Sequence, residues 1–292
     1  MEHLTAKLSC FARAYHFRTN TAHVFADAAA EKLLGEEYGQ IARHLAQGAG
    51  FFLPGFHGSK AEALRRIMDE HLAPSVLGRS AYCEAMLANE QRLGCKQYLL
   101  FASGYDTYAL RHPQSPLAVF ELDLPEMLAD KQRRIAQTGL RSGAIPVPCD
   151  LSRPDWPERL LRSGFDPRAK TFAGLLGISH YLSKVAFGSL LRSLGSMLCE
   201  GSALCFDYPT NADSPHLRLT QTLAQGAGEA MRARYSAPEI ESLLAGSGFP
   251  VYEHLTHRDM TRQYFSAYNA SSLGRPLEAP QGVCYALAVK KP

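Results

Sequence analysis

The pattern of apolar and polar positions changes near residue 96. Before it, apolar residues recur at helical spacing in Val24–Leu34 and Ala61–Leu72, with Glu62 four residues ahead of Arg66. Tyr82–Leu93 repeats the pattern and is closed by Gly94. Between these helices Gly48–Gly58 is rich in Gly, Phe and Pro, which reads as a mobile loop or a lid over something apolar. After residue 96, short apolar runs alternate with helical stretches. Strands are expected at Gln97–Ala102, Ala118–Glu121, Ile145–Val147, Thr171–Leu176, Ser202–Phe206, Pro250–Leu255 and Gly282–Val289. Helices are expected at Pro125–Gln137, Pro157–Ser163, Lys184–Leu198 and Pro238–Ser247.

This alternation predicts an α/β fold: a doubly wound, mostly parallel seven-stranded sheet with helices on both faces. Thr256–Gln281 reads as a loop, so the last two strands form a hairpin that brings an antiparallel strand into the sheet. Pro209–Ala233 is too long for a simple connection and is expected to hold one or two further helices. The organisation expected is a single domain: a helical cap at 1–95, a core at 96–208, a helical insertion at 209–248 and C-terminal hairpin strands at 249–292.

Composition narrows the function classes. The 292 residues are 46% hydrophobic and 20% charged, an ordinary globular balance that supports a large core. A net charge of +3 is too even to mark a nucleic-acid or membrane surface. No apolar run approaches the ~20 residues of a membrane span. The first residues lack the basic-then-apolar order of a signal peptide. Seven scattered cysteines without a Cys-x-x-Cys pair point to reduced thiols and a cytoplasmic protein.

The chemistry concentrates in Gln97–Pro125. An apolar run meets Ala102-Ser103-Gly104, and a second apolar run ends in Glu121-Leu122-Asp123. A strand, a turn of small residues, a crossover and a second strand ending in an acid suit a parallel sheet that holds a nucleoside. Small residues let the backbone approach the ligand, and the acid grips a ribose diol. The acid alone does not separate a dinucleotide from S-adenosylmethionine.

At Ala102-Ser103-Gly104-Tyr105-Asp106-Thr107, followed by Arg111, the chain resembles the leucine carboxyl methyltransferase-like family of S-adenosylmethionine-dependent methyltransferases. The family shows a Gly-Ala-Gly-x-Asp-Thr turn with an Arg shortly after. It then shows an acid-x-Asp-x-Pro, here Glu121 to Pro125, and a Lys and Arg in the next helix, here Lys131, Arg133 and Arg134. Asp150-Leu151 ahead of Asp155-Trp156-Pro157, and Tyr181-Leu182 after the fourth strand, continue the series. Upstream, Phe25-Ala26-Asp27 matches a Phe-x-Asp segment, and Arg79 stands where an Arg precedes the helix leading to the first strand. The resemblance covers about residues 10–200. Two departures stand out: the first Gly of the turn is Ala102, and a Glu carried by many members is Leu176.

The resemblance implies S-adenosylmethionine as cofactor and methyl transfer to a carboxyl or hydroxyl oxygen of a small molecule or chain end. The cofactor would contact Ala102, Ser103 and Gly104. Asp123 would take the ribose, with Glu121 competing. Asp150 and Leu151 would take the adenine, and Arg79 the cofactor carboxylate through a bidentate contact. Asp106 is assigned a structural role, on nearby backbone or Arg111. Toward the acceptor, His180 and Tyr181 follow the fourth strand, at the edge where open sheets bind ligands. Either suits orienting or deprotonating an oxygen. Tyr15, His16 and Arg18, with Phe51, Phe52 and Phe56, are further candidates for a pocket wall.

Other classes fit less well. Ser103 lacks the flanking glycines of a hydrolase nucleophile elbow. His254, His257 and Asp259 read as solvated loop side chains rather than metal ligands. A nicotinamide-dependent oxidoreductase shares the strand order but needs G-x-G-x-x-G, which the turn lacks. A non-catalytic relative that binds the cofactor as a sensor or scaffold is the remaining alternative.

Overall fold

Seven strands form one sheet in the order β3-β2-β1-β4-β5-β7-β6. They are β1 (Gln97–Phe101), β2 (Ala118–Asp123), β3 (Ile145–Pro148), β4 (Thr171–Leu175), β5 (Ala203–Pro209), β6 (Val251–Leu255) and β7 (Val283–Val289). The computed structural model describes residues 3–271 and 275–291. β1 to β5 run parallel, and β7 enters antiparallel to both β5 and β6. The order reverses between β1 and β4, the switch point where open α/β sheets bind ligands.

Side chains alternate between two apolar layers. Tyr98, Leu100 and Cys205 face the layer built by the N-terminal helices. Leu99, Phe101, Leu204 and Phe206 face the layer of helices Trp156–Arg162, Lys184–Met197 and Ala237–Ala245. Central strands covered on both faces explain why β1, β4 and β5 are buried at every position.

The expected strands are all present, with small shifts at their ends. The helices and loops differ from expectation in several places. Val24–Leu34 is helical only from Ala30, because the Asp27 carboxylate accepts from the N–H groups of Ala29 and Ala30 and so starts the helix there. The separate helices expected at Ala61–Leu72 and Tyr82–Leu93 belong to one run from Lys60 to Arg92, widened into a π-type turn at Met68–Leu72. Pro74 lies just beyond that turn. It has no N–H to donate, and the wider turn absorbs the mismatch. Thr256–Gln281 is not a plain loop: Thr256 and Asp259 form a reciprocal cap, and helical turns follow through Ser271. Gly48–Gly58 holds one short helix, Ala49–Phe52. The expected extra helix after β5 is Pro215–Gly226. Among the described residues, no helix is long and apolar enough to cross a membrane.

Candidate functional site

A cavity of about 370 Å³ opens at the carboxyl ends of β1, β2, β4 and β5. That lies at the small end of the usual range of ~300–1,000 Å³ for small-molecule sites. Its floor is the turn after β1. Ala102 and Gly104 both adopt left-handed backbone, each with φ of 48°. Glycine takes this conformation freely, whereas alanine is strained in it.

The turn is tied to β2 by Asp123. The Gly104 N–H donates to Asp123 Oδ2 at 2.7 Å, and the Leu124 N–H donates to Oδ1 at 2.8 Å. Burial pushes this carboxyl above its ordinary value, and the two backbone donors work against that shift. Each oxygen keeps a lone pair for a further donor. Glu121 sits two positions earlier and therefore on the same face of β2. It does not border the cavity: it is buried under Lys131, with Nζ 2.9 Å from Oε2. The expectation that it competes with Asp123 is corrected on this geometry. Its charge is spent on holding helix Pro125–Thr138 to the sheet.

Asp150 and Leu151 follow β3, whose Pro148 is in register with Asp123. They stand beside the cavity and do not border it. The Asp150 carboxylate accepts from the Ser152 N–H at 2.9 Å and the Ser152 hydroxyl at 2.6 Å.

Arg79, His180 and Tyr181 do border the cavity. Among the described residues Arg79 makes one hydrogen bond, from Nη2 to Ser9 Oγ at 3.3 Å, and Nη1 lies 3.8 Å from Asp207 Oδ2. Asp207 is 4% exposed, and its Oδ1 accepts from the Gly177 N–H at 2.6 Å. Burial pushes the Asp207 carboxyl up, and Arg79 opposes the shift. His180 is buried, and desolvation together with Arg79 pushes its imidazole down to about 3. Its ring lies 4.2 Å from that of Tyr181, whose hydroxyl is pushed up by burial.

The roof comes from two distant parts of the chain. Helix Leu4–Thr19 contributes Thr5, Ala6, Ser9 and Arg13, and helix Pro215–Gly226 contributes His216, Leu217, Thr220 and Leu223. The Thr5 hydroxyl donates to Glu229, which ties the first helix to the segment that follows the second. The wall between them is largely apolar, with Leu72, Val76 and Met231. His71, in the π-type turn, also borders the cavity, and its Nε2 is buried without a hydrogen-bond partner among the described residues.

Arg13 fixes the first helix to the floor. Its Nε donates to Asp27 Oδ2 at 2.8 Å, and its Nη2 donates to the Tyr105 carbonyl at 2.6 Å. Asp27 also accepts from the Thr107 hydroxyl. Burial alone would raise the Asp27 carboxyl, but Arg13 and Arg111 outweigh it and hold the group below its ordinary value. Asp106 plays the expected structural part, accepting from the Tyr108 N–H at 2.8 Å. Arg111 pairs with Glu84 rather than Asp106.

Several expectations fall elsewhere. Tyr15 and His16 are buried outside the cavity, and Arg18 pairs with Glu31. Phe52 and Phe56 border a separate surface hollow, and Phe51 is exposed. The His254 Nε2 lies 2.6 Å from the Tyr208 hydroxyl, and Asp259 caps its own helix. Sequence reasoning passed over Asp207, Gly177, Arg13, His71 and His216. The only available signal for Asp207 was an acid inside an apolar run, which read as a strand end.

Comparison with known proteins gives the family. The family model described as leucine carboxyl methyltransferase matches residues 6–195. YktD of Bacillus subtilis (strain 168), named as a candidate S-adenosyl-L-methionine-dependent methyltransferase, is 34% identical over 99% of this chain and 98% of its own length. A similarly named protein of Frankia alni is 36% identical over 51% of this chain and 54% of its own. Among solved structures, a DUF574-family protein from Streptomyces avermitilis has a TM-score of 0.59 at 18% identity, covering 85% of this chain and 97% of that one. A candidate methyltransferase from Thermobifida fusca YX has a TM-score of 0.52 at 20% identity, over 90% and 93%.

Proposed function

Since the chain belongs to the leucine carboxyl methyltransferase family, we propose that it is an S-adenosylmethionine-dependent methyltransferase whose acceptor is an oxygen of a small molecule or chain end. The observation that carries the reading is the placement of Asp123, the Ala102–Gly104 turn and Arg79 around one cavity at the switch point of the sheet. These residues fit the cofactor. Asp123 has a lone pair to spare on each oxygen for a ribose diol, and Gly104 brings bare backbone to the cavity floor. Arg79 carries unspent N–H donors for a carboxylate. Asp150 and Leu151, next along the sheet edge, suit the adenine.

The bound sulfonium supplies an already activated methyl group. What remains for the protein is alignment of the acceptor and exclusion of water. The two-helix roof and the apolar wall serve the second need. His180 and Tyr181 serve the first, from the carboxyl edge of the sheet.

Between the two oxygen acceptors, the weak proton affinity of His180 and His216 favours a carboxyl. His180 is pushed down to about 3 and His216 to about 4. Neither takes a proton readily from a hydroxyl, whereas a carboxylate arrives already ionised. The test is transfer of labelled methyl from the cofactor to a panel of apolar acids and the matching alcohols and phenols. A product that releases methanol in mild base supports a carboxyl acceptor. A base-stable product overturns it. Failure of S-adenosylhomocysteine to bind the purified protein in calorimetry overturns the cofactor itself.

A further inference from the structure

We propose that Asp207 receives the α-ammonium group of the cofactor's methionine portion, opposite Arg79, which receives its α-carboxylate. This rests on the cofactor reading above. Asp207 faces the cavity from the middle of a strand otherwise apolar in sequence and buried along its whole length. A carboxylate placed there is costly unless its charge is answered. The structure answers it only in part. Oδ1 has the Gly177 N–H, while Oδ2 lies 3.8 Å from Arg79 Nη1, beyond hydrogen-bond reach. One buried anion and one cation therefore stand side by side at the cavity wall, each with valences left over. That is the complement of an amino acid head group, which carries both signs on one carbon.

The neighbouring residues hold the pair in this arrangement. Gly177 has a φ of +67°, and a Cβ there would stand 2.6 Å from Arg79 Nη1. Only glycine lets the guanidinium lie over this turn. Ser179 fixes the strand from the other side: its hydroxyl donates to the Asp207 carbonyl at 2.8 Å, and the Tyr235 hydroxyl donates to the Ser179 carbonyl at 3.1 Å. Asp207 is also level with Leu176, because Leu175 and Phe206 are in register on β4 and β5. The acid missing from position 176 is thus supplied from the adjacent strand.

The experiment is calorimetric binding of three nucleosides: S-adenosylhomocysteine, its des-amino analogue, and 5′-methylthioadenosine, which lacks the whole amino acid head. They are titrated into the wild-type protein and Asp207→Asn, with a thermal melt to check folding. In wild type the des-amino analogue should bind about tenfold more weakly than S-adenosylhomocysteine, the worth of one charge-assisted hydrogen bond. In Asp207→Asn that difference should vanish, and 5′-methylthioadenosine should bind as it does to wild type. Equal weakening of all three ligands by the substitution overturns the proposal in favour of a structural role. Unchanged S-adenosylhomocysteine affinity overturns it in favour of a role toward the acceptor. If Asp207→Asn does not fold, equal wild-type affinity for S-adenosylhomocysteine and its des-amino analogue overturns the proposal. Wild-type protein that binds 5′-methylthioadenosine and S-adenosylhomocysteine equally does the same. Wild-type protein that binds none of them overturns the cofactor reading first.

Discussion

The carboxylate of Asp27 and the hydroxyl of Thr107, eighty residues apart in sequence, meet at 2.7 Å. Through this contact the cap of N-terminal helices is fastened to the turn that follows β1. Arg13 completes the junction by bonding both Asp27 and the Tyr105 carbonyl. Removing Asp27 leaves a buried guanidinium with no counter-charge. Asp27→Ala should therefore cost about 3–5 kcal/mol, the typical loss when one partner of a buried pair is deleted. Urea denaturation of the purified variant measures it. A loss below about 1 kcal/mol, as expected for an exposed pair, would contradict the junction.

Asp123 anchors the same turn from the opposite side. Asp123→Ala removes the acceptor of two backbone N–H groups and the group assigned to the ribose. Affinity for S-adenosylhomocysteine should fall below detection in calorimetry while the fold persists. Asp150→Ala should also abolish binding without unfolding the protein. Wild-type affinity in both variants would refute the cofactor assignment.

These two junctions show how far the sequence could be read. Asp27, Asp106, Thr107 and Asp123 were all visible as members of a pattern, because their spacing along the chain is their signature. Their division of labour was not visible. Glu121 and Asp123 look interchangeable in sequence, and only the Lys131 contact separates them. Asp207 illustrates a different limit. A charged residue breaks an apolar run, so the sequence predicts a strand that ends at Phe206. In fact β5 continues to Pro209, with Asp207 turned into the cavity. The cap Thr256–Asp259 was likewise legible in principle, but its helix carries little apolar periodicity.

Ala102 is a strained member of the floor, with a φ of 48°. Ala102→Gly should relieve this strain and raise stability by about 1 kcal/mol, less the greater chain entropy of glycine. The denaturant midpoint reads the change. A lower midpoint would show that the methyl group contributes packing that outweighs the strain.

Burial pushes His16, His180 and His216 furthest toward the neutral imidazole. His16 and His180 are pushed down to about 3, and His216 to about 4. The unfolded chain binds protons at these sites below the ordinary value of 6.5, while the folded chain does not. These sites therefore make unfolding free energy fall as pH drops from 6.5 toward 4, since the unfolded state takes up more protons there, while the carboxyls that burial pushes up, Glu84 to about 7 among them, act in the opposite sense. His180→Asn should make that slope shallower by about one proton. A slope left unchanged by His180→Asn would mean that this imidazole is not held neutral.

The two halves of the cavity have separate sources in the chain. Its floor comes from residues 101–106 and 123–127, whereas its roof comes from residues 3–13 and 216–231. Substitutions in the roof can remodel the space offered to an acceptor without touching the strand ends. The same scaffold is therefore free to diversify in what it modifies while its donor side stays constant, and helix Pro215–Gly226 is where a change of substrate would first be written.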